Sequence, residues 1–195
     1  MEPKHFAGVI ELQELAFPLP FDRDLLWKEE HLVSHTNKFP IGQLVAVADD
    51  RVVGSCSNSV LNSDWFDQGL PWKEMVGGYS IATFDSNGKT LYGLDISVHP
   101  EFRKQGIGRA FYEHRKTLVC ALDFERYATT CRIPDFHLSS SSSGQDFCQE
   151  VKNNRRSDRT LTPLLRYGMN FVSVIENHWD DPESGNAAVR LEWYP

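Results

Sequence analysis

The sequence predicts an α+β fold of about seven strands with helices between them. Three observations predict it. Apolar residues alternate in short runs separated by Asp-Asp and Asn-Gly turn signals. One strand runs through a proline and a glycine turn into a helix with a 3.6-residue apolar stripe. A short helix closed by a glycine precedes two final apolar runs.

In chain order, residues 6–15 read as a short strand running into a helix that stops before Pro18 and Pro20. Residues 24–33 read as a helix, with Asp22 or Asp24 as cap and Leu25, Leu26, Leu32 and Val33 on one face. Residues 43–48 and 51–57 are strands joined through Asp49-Asp50. Residues 79–84 and 89–98 are expected to form a second hairpin around Asp85-Ser86-Asn87-Gly88. Residues 126–133 read as a strand, and the serine run within 138–145 as a mobile loop. Residues 161–167 read as a helix ended by Gly168, before antiparallel strands at 170–177 and 187–193. No repeat or internal boundary interrupts residues 1–195, so a single domain is expected.

With 195 residues, 41% of them hydrophobic and 24% charged, the chain has the composition of one globular domain. The net charge of −7 argues against a nucleic-acid surface. The opening Met1-Glu2-Pro3-Lys4-His5-Phe6 has no apolar signal segment, and no run has membrane-spanning length. Cys56, Cys120, Cys131 and Cys148 lack Cys-x-x-Cys spacing. Reduced thiols and a cytoplasmic location, with no membrane partner, are the expectation.

The most informative stretch is 91–109. Leu94, Ile96 and Val98 alternate along one strand face, and Pro100 ends the ladder because it has no N–H to donate. Gly106 and Gly108 permit a tight turn with no Cβ to obstruct a ligand. Ile107, Ala110, Phe111, Leu118 and Leu122 then follow helical spacing. The turn therefore lies at a helix N-terminus, whose free N–H groups and positive dipole end face outward. Arg103, Lys104 and Arg109 add positive charge, which completes a phosphate cradle. The Gly-Lys-Ser/Thr ending of a P-loop is missing, as is the three-glycine dinucleotide fingerprint.

Arg103, Gly106 and Gly108 match in register the pattern Arg/Gln-x-x-Gly-x-Gly/Ala, after a strand ending Val98-x-Pro100. In this the chain resembles the GNAT acyltransferase superfamily. The resemblance implies a mixed, mostly antiparallel central sheet flanked by helices on both faces. It implies acetyl-CoA as acyl donor and no metal. Pantetheine would lie along Ile96 and Val98, and the pyrophosphate among Arg103, Lys104, Gln105, Gly106, Ile107, Gly108 and Arg109. Segments 39–43, 90–93, 132–137 and 181–186 resemble the branch found beside, or fused to, nitrilase-like carbon–nitrogen hydrolases. That branch implies a nitrilase-like hydrolase as a partner; a homodimer stays open beside it, and the acceptor is expected to be a small-molecule amine or an amine of a peptide or protein. No hydrolase domain is expected within this chain.

Acyl transfer to a primary amine needs a base for the ammonium proton, donors for the thioester oxygen and a proton for the leaving thiolate. Asp95 is the leading base, since a carboxylate on a central strand is costly unless paired or functional and burial would raise its pKa. Tyr92 on the same strand is a candidate proton relay. His99 reads as an exposed turn residue. The family helix that carries the acid tyrosine aligns with Leu164 at that position and Ser157 at the usual asparagine. Tyr167, one turn later, is the substitute candidate. Without the usual acid, a noncatalytic acyl-CoA-binding module stays open, as does transfer of a longer acyl chain.

His31 and His35 have the i, i+4 spacing of a metal pair, but Leu32 stands where a zinc protease has its glutamate, which favours a solvated helix face. The segment 63–74 mixes aromatic rings and carboxylates, which suits either a cationic amine or a packed surface loop. Arg155 and Arg156 are candidates for the adenosine 3′-phosphate, or a basic surface patch.

Overall fold

The computed structural model describes residues 1–19 and 21–195. Among them a six-stranded sheet forms, rather than about seven strands, in the order β1-β2-β3-β4-β6-β5. The strands are β1 Leu44–Ala48, β2 Arg51–Leu61, β3 Thr90–Val98, β4 Arg126–Cys131, β5 Asn170–Ile175 and β6 Ala188–Trp193. Only β3 and β4 pair in parallel; every other neighbour is antiparallel. The helices are α1 Phe6–Ala16, α2 Glu29–Lys38, α3 Ser63–Phe66, α4 Trp72–Val76, α5 Ile107–Ala121, α6 Gly144–Lys152 and α7 Leu161–Arg166. None is long and apolar enough to cross a membrane.

β2 is buried along its length after Arg51 because it has a strand on each side and helices above and below. Val9 and Leu12 of α1 pack with Trp27, Leu32 and Val52 on one face. Leu118 and Val119 of α5, with residues of α6 and α7, pack with Leu91, Tyr127 and Leu191 on the other. α5 approaches β2 closely at Gly54, where an added Cβ would stand 2.9 Å from Ile107 Cγ2.

The missing strand is 79–84, which forms turns. Ile81 adopts φ 49° and Gly77 and Gly78 are also left-handed, so the segment curls instead of extending. α2 takes the carbonyls that a strand neighbour would have used. Ser34 and Lys38 donate to the Ser80 carbonyl and His35 Nε2 bonds the Tyr79 carbonyl. The Asn87-Gly88 turn does form, with Asn87 N donating to Asp85 Oδ1, but it leads from the 62–89 excursion into β3. The hairpin partner of β3 is β2 itself.

Three helices also differ from expectation. Residues 6–15 are helical throughout, with no strand at their start; Pro20, beyond α1, lies outside the described residues. The stretch 24–33 breaks in two. Asp22 caps a short 3₁₀ turn at Arg23–Leu25, Leu26 is extended, and α2 begins at Glu29. The break is held by Trp27 N, which donates to Gln13 Oε1 of α1 at 2.8 Å, a tertiary bond that local periodicity does not reveal. The serine run ends in α6: Ser143 caps it by accepting from Asp146 N, and Ser141 donates to Glu150. α7 ends as expected, with Gly168 at φ 83°.

Candidate active site

β3 and β4 pair only from Thr90–Gly93 to Arg126–Thr129, although both strands continue further. At the same level β3 bulges against β2: Gly93 faces Asn58 and Asp95 faces Ser57, leaving Leu94 over. The strands splay beyond this point. A cleft of about 1010 Å³ opens there, with Asp95, Ile96, Thr130, Cys131, Tyr112 and Trp27 among its walls.

Arg115 of α5 fixes the bulge from behind. Its Nε donates to Asn58 Oδ1 at 2.6 Å, Nη1 to Tyr127 OH at 2.8 Å, and Nη2 to the carbonyls of Ser57 at 3.1 Å and Asp95 at 2.9 Å. Gly93 makes room for it, since a Cβ there would lie 2.7 Å from Tyr127 Oη and 2.9 Å from Arg115 Nη1. Sequence reading passed over Arg115. Its signal is its place on the apolar stripe of α5, between Phe111 and Leu118, where an unpaired charge would not be tolerated.

Asp95 stands at the cleft floor. Burial pushes its carboxyl up to about 6, opposed by the Ser97 hydroxyl, the Arg115 charge and the Trp27 indole. Ser97 Oγ donates to Asp95 Oδ2 at 3.1 Å. The group is thus ionised near pH 7 yet close enough to that pH to accept and release a proton.

Tyr92 lies on the same strand but is fully buried and does not line the cleft. Its hydroxyl shares a 2.6 Å hydrogen bond with Thr130 Oγ1, which also bonds His178 Nε2 at 2.9 Å. Thr130 and His178 both line the cleft, so a chain of polar atoms runs from the interior to its wall. Burial pushes His178 down to about 4, against the Leu70 carbonyl, and keeps it neutral at pH 7. Neither residue carried a sequence signal, because a buried Thr and a loop His are unremarkable until the fold joins them.

Tyr167 caps α7 and does not line the cleft. Its ring packs on Tyr112 with centroids 5.2 Å apart, and Tyr112 is the ring that reaches the cleft beside Leu164. Burial raises the Tyr112 phenol well above its ordinary value, so it carries its proton throughout the neutral range.

The glycine turn has the expected form. Gly106 caps α5 at φ 90°, and no heavy atom lies within 4 Å of a Cβ placed at Gly106 or Gly108, so the helix N-terminus is open. Lys104 and Arg109 are exposed beside it. Arg103 is tethered rather than free: Nε donates to the Val98 carbonyl and Nη2 to the Ala16 carbonyl, both at 3.3 Å, tying β3, the turn and α1 together. Gln105 Nε2 donates to the Glu101 carbonyl. Val98 and Ile96 are partly exposed on the splayed part of β3, and only Ile96 lines the cleft. His99, expected in solvent, is buried against Arg51, with Arg51 Nη2 2.7 Å from its Nε2.

The remaining candidates take structural places. His35 is buried on the Tyr79 carbonyl, and His31 stacks on the Tyr79 ring at 5.1 Å, so they do not form an open helix face. In 63–74, Asp67 pairs with Arg126 at 2.9 Å while Trp72 faces the cleft. Arg156 pairs with Glu150 at 2.7 Å. All four cysteines are free thiols, with only Cys120 exposed.

The profile of the acetyltransferase (GNAT) family matches residues 6–135. Among curated proteins, the uncharacterized N-acetyltransferase YkwB of Bacillus subtilis (strain 168) is 34% identical over 95% of this chain and 82% of its own length. The probable hydrolase YhcX of the same organism is 30% identical over 99% of this chain, which spans only 37% of that protein. Among solved structures, the GphF GNAT-like decarboxylase in complex with isobutyryl-CoA superposes with a TM-score of 0.81 at 18% identity, covering 100% of this chain and 96% of that one. The chain belongs to the acetyltransferase (GNAT) family and is an acyl-transferring enzyme.

Proposed function

We propose that the protein transfers an acetyl group from acetyl-CoA to a primary amine by direct attack on the thioester. The observation that carries the reading is the Asp95 carboxyl, raised to about 6 at the point where β3 and β4 part. The main chain of Ile96 and Val98, beyond the end of the β3–β4 ladder, pairs with the pantetheine arm, with Arg103 Nε sharing the Val98 carbonyl. The amides from Gly106 to Arg109 hold the pyrophosphate, with Lys104 and Arg109 adding charge and Arg103 fixing the turn. The thioester then lies in the splay, its carbonyl carbon facing the cleft.

The amine enters from the cleft as an ammonium ion. Asp95 takes its proton, the amine nitrogen bonds the thioester carbon, and the tetrahedral intermediate collapses with loss of the CoA thiolate. Tyr112 delivers its proton to that sulfur as the C–S bond breaks and regains one as the amide nitrogen sheds its second proton, with Tyr167 packed behind to hold its ring. Tyr92, through Thr130, extends the polar wall that can pass a proton onward. No covalent acyl-enzyme is required.

A longer acyl donor is the second reading. The cleft volume of about 1010 Å³ favours it, being ample beside an acetyl group. Titration of the intact protein with acetyl-CoA and isobutyryl-CoA, followed by thiol release with hexylamine, tests both. Binding and thiol release with acetyl-CoA are expected. Absence of calorimetric binding to either thioester would overturn the reading, and faster turnover of isobutyryl-CoA would select the longer donor.

A further inference from the structure

The Tyr112 ring reaches the cleft, and no described residue hydrogen-bonds its hydroxyl, so packing fixes where the phenol points. Three neighbours enclose the ring. Arg115 Cζ stands 5.4 Å from its centroid, the Tyr127 ring 6.2 Å and the Tyr167 ring 5.2 Å. Arg115 and Tyr127 are buried and bonded to each other at 2.8 Å, which makes them a fixed floor. Tyr167 is placed differently. It stands at the exit of α7, a helix of six residues and too short to hold its own geometry.

The hold on Tyr167 comes from α5. Lys116 lies one helical turn beyond Tyr112, so the two side chains leave the same face of that helix. Lys116 Nζ donates to the Tyr167 main-chain carbonyl at 2.5 Å, and the ammonium stands 5.3 Å from the centroid of the Trp193 ring on β6. That carbonyl lies just past the last turn of α7, where helical N–H groups have run out and the negative dipole end favours a cation. Tyr167 is thereby bracketed by α5: Tyr112 takes its ring and Lys116 its carbonyl. Lys116 itself does not line the cleft, so any effect on the reaction passes through Tyr167.

We infer that Lys116 is a positioning residue for proton delivery to the thiolate: by clamping the Tyr167 carbonyl it fixes the wall that aims the Tyr112 phenol at the sulfur. The inference rests on the acyl-transfer reading above, in which Tyr112 gives up that proton. A clamp of this kind sets where the donor stands and leaves the grip on CoA alone, so kcat bears the effect and affinity does not.

Acetylation of hexylamine by Lys116→Met, Lys116→Arg, Tyr112→Phe and the double variant Lys116→Met/Tyr112→Phe tests the clamp. Lys116→Met keeps the aliphatic stem and removes the donor. Its kcat should fall about fivefold to tenfold, with the acetyl-CoA Kd within about twofold of wild type. Lys116→Arg returns a donor to the same carbonyl and should recover most of the rate. In the Tyr112→Phe background, losing Lys116 should cost less than about twofold, because the phenol it serves is gone. An equal fall in both backgrounds, or a wild-type kcat in Lys116→Met, would overturn the inference and leave the acyl-transfer reading standing. If Tyr112→Phe keeps the wild-type rate, or no amine is acylated, the acid reading falls and fluorine NMR of fluorotyrosine-labelled protein decides on the clamp. The Tyr112 resonance, assigned by its loss in Tyr112→Phe, should shift or broaden in Lys116→Met; an unmoved resonance removes the clamp as well.

Discussion

Arg115 Nη2 donates to the main-chain carbonyl of Asp95 at 2.9 Å, so the carboxylate proposed as base is positioned from the far side of the sheet. The same guanidinium reaches Ser57, Asn58 and Tyr127, and so couples the bulge in β2–β3 to β4. It carries the splay that separates the two parallel strands.

Arg115→Met tests this coupling. The change leaves a buried carboxamide oxygen, a buried phenol and two carbonyls without their donor, and loss of about 3 kcal/mol in denaturant unfolding is expected. Gly93→Ala should cost a similar amount, because its Cβ would press on Tyr127 Oη and Arg115 Nη1. Wild-type stability in both variants would show that the bulge stands without Arg115.

The glycine turn gives a second expectation. Gly106→Trp places a bulky residue at φ 90°, in the open space before the helix N-terminus, and should weaken acetyl-CoA binding by at least tenfold in calorimetry. Lys104→Glu, at an exposed side chain, should weaken it by several-fold and more so at low salt. Unchanged affinity in both would remove the phosphate cradle.

The glycine turn at a helix start was legible because its logic is local: proline, glycine pair and helical stripe follow one another within residues 91–109, and Asp95 lies on the strand that leads into it. Local pattern failed where distant segments decide. Residues 79–84 alternate like a strand, yet α2 captures their carbonyls. The helix expected at 24–33 breaks because Gln13, from another helix, binds Trp27 N. The proton donor was sought on α7, where Tyr167 lies, while the ring that reaches the cleft is Tyr112 on α5. Thr130 and His178 are 48 residues apart in the chain and meet only through the sheet.

Tyr112→Phe removes the phenol and keeps the ring that packs on Tyr167. A fall in kcat of about tenfold to a hundredfold is expected, with acetyl-CoA affinity retained. The same fall in Tyr167→Phe, with Tyr112→Phe unaffected, would move the proton donor to α7.

Asp95→Asn should also change stability with pH. The folded-state carboxyl, at about 6, lies above its ordinary value near 3.8, so the native state holds the proton more tightly and loses stability as pH rises through that window. The asparagine variant avoids this loss and should gain about 3 kcal/mol above pH 6, with no gain below pH 4. His178 acts in the opposite sense. Its folded value near 4 lies below the ordinary 6.5, so its contribution is lost as pH falls through that interval. Unfolding curves of Asp95→Asn and His178→Gln between pH 4 and 8 separate the two.

The central claim is that Asp95 accepts the amine proton. Its most direct test is the pH dependence of kcat at saturating acetyl-CoA and amine, in the wild type and Asp95→Asn. The wild type should show an acidic limb near pH 6, and Asp95→Asn a rate about a hundredfold lower without that limb, while acetyl-CoA binding is kept. An Asp95→Asn enzyme with the wild-type rate and the same limb would contradict the claim.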